Sequence, residues 1–181
     1  MKPLVTFLTS SELQDALGSD LSEDDAAELR RFRDRLMESF GNLEEALEVM
    51  EDLYGRGWKT FDVSVWVFDA RQDSLSSPIA LRQKDIETSV FEAFWMLAKL
   101  LIRDDPPDSG LVEEGYGKLD AVSAMLASEA LERVMEEDGY AELEDAARSD
   151  ADDIKTWRTV DVFRDAWPAG ETALYDWLET R

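Results

Sequence analysis

Residues 90–102, VFEAFWMLAKLLI, are apolar almost all the way round a helix, and a helix of that kind has to be enclosed on every side. It cannot serve as a surface element, so the rest of the chain must supply the layers that cover it. The expectation is a buried central helix over 86–102, with Phe91, Phe94 and Trp95 as core residues rather than the wall of a ligand pocket.

The flanking sequence supplies those layers. Residues 4–9 read as a short strand, with Ser10 and Ser11 able to cap a short helix that Gly18 ends. Ser22 with Asp25 opens a longer helix in the manner of a capping box, carried by Leu29, Phe32, Leu36 and Phe40. Gly41 and Asn42 mark either a tight turn or a kink before a second apolar face of Leu43, Ala46, Leu47, Met50, Leu53 and Tyr54. The clearest strand is 60–69, where Phe61, Val63, Val65 and Val67 alternate with Asp62, Ser64, Trp66 and Phe68. Residues 76–81 could return beside it across the RQDS turn as an antiparallel neighbour, with Pro78 confining it to an edge. The segment DDPPDSG, 104–110, reads as a loop or hinge. Beyond it, 118–137 and 140–148 read as helices, with Ser128 as a candidate fresh start, and the DADD run 150–153 as a solvated loop. Residues 157–163 fit strand or helix equally, and 171–179 reads as a short helix docking Leu174, Trp177 and Leu178. The expected fold class is α+β: one helix-dominated domain spanning 1–181, with a small, mainly antiparallel sheet packed on a buried central helix.

Charge divides the chain in the same way. The net charge of −23 breaks into −9 over 1–54, +1 over 55–103 and −15 over 104–181. The neutral stretch is the one expected to be buried. An acidic balance of this size bears on partner choice rather than on fold, and it disfavours direct contact with nucleic acid or an anionic membrane. A basic partner protein is the expectation, most simply one that binds nucleic acid itself.

Cys and His are both absent, which removes thiol nucleophiles, disulfides, thiolate metal sites and the commonest proton-transfer side chain. Neither GxxxxGK[ST] nor GxGxxG occurs, and no Ser-x-x-Lys pair accompanies the serines. The sequence YGRGWK, 54–59, imitates an anion loop but lies between a helix end and a strand start, where a turn is expected. No EF-hand spacing is found, and Asp150, Asp152 and Asp153 form at most a weak divalent-cation site. No enzyme activity, cofactor or metal is expected. The apolar run near Met1 is too short for a secretory signal, and no stretch approaches a membrane span. A cytoplasmic location is the default expectation.

The remaining signal is collective. Glu44, Glu45, Glu48, Glu51 and Asp52 would all lie off the apolar face of one helix, five charges in about 13 Å of helix axis. That density is of the order of the ~1.7 Å per charge of duplex DNA. A second cluster comprises Glu129, Glu132, Glu136, Glu137, Asp138, Glu142, Glu144 and Asp145, with only Arg133 in opposition. These thirteen residues are the candidate partner-binding site. The expected function is an acidic, non-enzymatic inhibitor that occupies a basic site, as DNA-mimicking counter-defence factors of phages and plasmids do. Three alternatives remain open: acidity as adaptation to a salt-filled cytoplasm, an immunity protein against a basic toxin, and a carboxylate-based divalent-metal enzyme.

Overall fold

A computed structural model describes residues 2–11, 21–68, 79–108, 116–149 and 154–180. In chain order these residues form β1 (Leu4–Thr9), α1 (Glu23–Ser39), α2 (Leu43–Tyr54), β2 (Asp62–Phe68), β3 (Ile79–Arg82), α3 (Ile86–Asp104), α4 (Tyr116–Val134), α5 (Glu137–Arg148), α6 (Ile154–Ala166) and α7 (Leu174–Glu179). The all-round apolar segment is the body of α3. Phe91, Ala93, Phe94, Leu97, Ala98, Leu101 and Ile102 are at most 3% exposed, because α4 and α5, then β3, α1 and α2, pack around it. Its start is fixed by Asp85, whose Oδ1 accepts from the Thr88 amide at 2.8 Å.

The sheet has the order β1-β2-β3. Both pairings are parallel, Leu4 lying opposite Asp62 and Val65 opposite Ile79. The expected antiparallel return is therefore wrong. A tight hairpin would force reversal, but ten residues separate Phe68 from Ile79, a reach of up to ~33 Å when extended. The register needs the chain to come back by only three strand positions. The RQDS segment itself, 71–74, lies outside the described residues. Among the described residues β3 lies at an edge of the sheet, as expected; Pro78 itself lies outside them. Phe7, Val63, Val65, Val67, Ile79 and Leu81 point to the helical side and are buried, with α1 on β1 and β2 and α3 on β3. Phe61 precedes the strand and is 56% exposed, so the alternation starts at Val63.

Elsewhere the chain follows its local signals except at Ser128. Ser22 Oγ accepts from the Asp25 amide at 3.2 Å and starts α1. The Phe40-Gly41-Asn42 turn separates α1 from α2, which settles the turn-or-kink alternative in favour of two helices. Ser128 starts nothing: α4 runs straight through it, and its side chain is fully buried. Residues 157–163 are helical, because Trp157, Val160, Phe163 and Trp167 recur at helical spacing toward the core. The first residues of the 104–110 segment are tied down. Asp104 accepts from the Thr60 amide at 2.8 Å and the Thr60 hydroxyl at 2.9 Å, while Lys59 pairs with Asp105 at 2.9 Å. The helix sought over 10–18 lies outside the described residues beyond Ser11, as do 109–110 and the DADD run. No helix among the described residues is long and apolar enough to cross a membrane.

Candidate acidic docking surface

Helix α2 carries the first cluster as the sequence implied. Ala46, Leu47, Met50, Leu53 and Tyr54 are buried, which leaves Glu44, Glu45, Glu48 and Asp52 exposed and Glu51 half-buried. Glu44 and Glu45 sit in the first turn, where the helix dipole favours anions. Glu51 and Asp52 sit near the other end, where it disfavours them, and no basic residue occupies the last turn. Gly55 closes α2 at φ 79°, and a Cβ there would lie 2.5 Å from the Ala173 Cβ. Only glycine fits that approach. The nearest cation is Lys2, whose Nζ is 2.6 Å from Glu48 and 3.9 Å from Glu44. The Glu48 hydrogen bond raises the pKa of Lys2.

The second cluster divides. Glu132, Glu136, Glu137, Asp138, Glu142 and Asp145 are exposed. Glu144 is 8% exposed and faces inward. Its Oε1 accepts from Arg148 Nε at 2.7 Å and from Arg164 Nη1 at 3.2 Å, and its Oε2 accepts from the Ser128 hydroxyl at 2.8 Å. Burial alone would raise the Glu144 pKa, but the donors from Arg164, Ser128 and Arg148 hold it below its ordinary value. Arg148 also bonds Asp161 at 2.8 Å and lies 4.4 Å from the Trp157 ring centroid. Glu129 is half-buried, with its Oε1 3.4 Å from Arg164 Nε, close enough for an ion pair but misaligned for a hydrogen bond. Burial outweighs that attraction and raises the Glu129 pKa. Glu129 and Glu144 are thus part of the packing of α4, α5 and α6, not of an exposed face. Arg133 is not the sole counter-charge: Arg148 and Arg164 arrive from later in the chain.

The exposed members of the two clusters start from one corner. Helices α2 and α4 pack on each other. Asn42, in the N-cap position of α2, uses its side chain not to cap but to donate to the Val134 carbonyl, the last residue of α4, at 2.9 Å. Glu44 and Glu45 follow Asn42 by two and three residues, and Glu136, Glu137 and Asp138 follow Val134 by two to four. Glu142 and Asp145 lie further along α5, which packs on α3 and α4. Between the two starts opens a cleft of about 240 Å³, lined by Phe40, Gly41, Asn42, Phe94, Leu131 and Met135 with Glu38 and Ser39 at the end of α1. Sequence reasoning passed over this cleft. Phe40 and Phe94 read as apolar-face residues of their helices, and nothing in their spacing shows that their edges, with that of Leu131, border an opening.

Acidity is uneven over the rest of the molecule. Helix α1 carries six acids and four arginines, and α6 two acids and three bases, whereas α2 carries five acids and no base. Among the described residues no three carboxylates are arranged to hold a metal ion; Asp150, Asp152 and Asp153 fall outside them. No protein-family model, curated protein or solved structure matches this chain.

Proposed function

We propose that this protein is a non-enzymatic acidic binder that occupies a basic, nucleic-acid-binding site on a partner protein, in the manner of a DNA mimic. The observation that carries the reading is the corner at Asn42 and Val134, near which two exposed acidic helix segments begin, with Lys2 as the cation that pairs with the first. Acid at the C-terminal end of α2 works against the helix dipole, so a role outside folding accounts for it better than stability does. The nearly balanced surfaces of α1 and α6 favour a directed field over general salt adaptation, which would spread acid all round.

Such a surface speeds encounter with a basic partner and loses affinity steeply as salt rises. Affinity capture from the native host at low salt, followed by competition with duplex DNA, tests the reading. The captured protein is expected to be basic, to be released by salt and to be displaced by DNA. A chain bearing Glu44→Lys, Glu48→Lys and Glu137→Lys should retain its fold and capture nothing. Binding of equal strength at low and high salt would sink the proposal. Folding only in molar salt would return the acidity to salt adaptation.

A further inference from the structure

We infer that the cleft lined by Phe40, Phe94, Leu131 and Met135 receives an apolar anchor side chain from a lysine- or arginine-rich segment of the partner. This deepens the proposed function and rests on it: the acid supplies attraction, and the cleft supplies the anchor. Charge pairs at an exposed surface contribute little net affinity. Tight interfaces draw most of their binding energy from a few large side chains buried in pockets and ringed by polar groups.

The corner has that construction. Phe40, Phe94 and Leu131 are 6%, 3% and 1% exposed and present only their edges to the cleft, with half-buried Met135 beside them. Its volume of about 240 Å³ admits one large apolar side chain. The charge beside the cleft is mainly acidic. Glu38 is the charged residue of the lining, Glu132 and Glu136 are the sequence neighbours of Leu131 and Met135, and Glu44 and Glu45 open α2 beyond Asn42, while the one base of that stretch, Arg133, reaches toward Gly170. All five glutamates are exposed, and no described lining residue is basic. An apolar floor inside an acidic rim selects an apolar side chain flanked by cations, because a neutral apolar segment leaves the rim unmatched and an acidic one is repelled. The aliphatic stems of the flanking lysines or arginines can cover the edge of the floor while their heads meet the carboxylates.

Gly41 offers a way to close the cleft without touching charge. A Cβ at Gly41 meets nothing within 4 Å, and its φ is not positive, so Gly41→Trp places an indole in the opening without backbone strain. Ser39→Trp is a second occlusion from the α1 side. The probes are two synthetic heptapeptides, six lysines around a central Phe and the same peptide with Ala there. Titration of the full chain should find the Phe peptide bound about tenfold more tightly, as expected for one buried aromatic side chain. Both occluded variants should melt as the native chain does, lose that preference, and keep the affinity and salt dependence of the Ala peptide. Salt-dependent binding with no Phe preference overturns the cleft and leaves the acidic surface standing. A preference that survives both occlusions also overturns it. Affinity for either peptide that is unchanged from low to high salt overturns the basic occupant, and the proposed function with it.

Discussion

The two acidic clusters look alike in sequence, but only the second sends carboxylates into the packing between helices. On α2 every carboxylate except the half-buried Glu51 is exposed, and Lys2 is the only cation paired with them among the described residues. On α4 and α5 the six outer carboxylates are exposed, but Glu129 and Glu144 are drawn in by Arg164, and Glu144 by Arg148 as well. A charge count cannot separate the two kinds of acid. What separates them is whether an arginine from another element reaches the carboxylate in a place where water does not.

The sharpest way to break this comparison is to remove one member from each side. Glu144→Ala removes the carboxylate shared by Arg148, Arg164 and the Ser128 hydroxyl; Arg148 keeps Asp161, Arg164 keeps Glu129 and Ser128 keeps Tyr140, so the loss is about 2–3 kcal/mol, below the cost of an uncompensated buried charge. Glu48→Ala, on the exposed face of α2, should stay within ~0.5 kcal/mol of the native chain. Denaturant unfolding of the two variants measures both. A Glu144 variant as stable as the Glu48 variant would mean that the buried cluster does not hold α5 and α6 to α4. Binding should invert the order, with Glu48 variants losing affinity for a basic partner and folded Glu144 variants keeping it.

A smaller effect separates the two inward carboxylates from each other. The fold lowers the Glu144 pKa below 4.5. Its stabilisation is therefore present above that ordinary value and is lost as pH falls through the lower folded one. Glu129 is the reverse case. Its folded pKa is raised, so ionised Glu129 weighs against the fold at neutral pH, and the molecule gains stability as pH falls through the raised value. Glu129→Gln should then be neutral or slightly stabilising at pH 7, by less than about 1 kcal/mol, with the gain vanishing on acidification. Glu144→Gln should destabilise at pH 7 and flatten the acid limb of the stability curve. Parallel pH profiles for the two glutamine variants would erase the distinction.

What was legible in the sequence tracks how local its cause is. The α3 segment declares its burial through composition, and the α1 and α2 faces through spacing, because each of those signals lies within one helix. Strand β3 was placed correctly at an edge, yet its direction depends on how far 69–78 carries the chain, which no turn motif states. The Trp157 to Phe163 stretch is rich in β-branched residues, and only packing of Trp157, Val160 and Trp167 against the core makes it helical. At the candidate site the α2 cluster could be read directly. Glu144 pairs with Arg148 one helical turn on, a spacing the sequence displays, but Arg164 lies twenty residues away and is invisible to any local reading. The same holds for the corner, since Asn42 and Val134 are 92 residues apart.

The finest test of the contrast concerns Lys2. Its ion pairs with Glu44 and Glu48 lie on an open surface, where screening and side-chain freedom leave little net stabilisation. Lys2→Ala should therefore leave the melting temperature unchanged, unlike removal of either arginine around Glu144. It should also free two carboxylates for a partner's cations and strengthen binding to a basic partner a few-fold at low salt, with the gain disappearing once the Debye length falls to roughly 3 Å near 1 M salt. If Lys2→Ala instead lowered the melting temperature and weakened binding together, the acid of α2 would be structural like that of Glu144, and the difference between the two clusters would collapse.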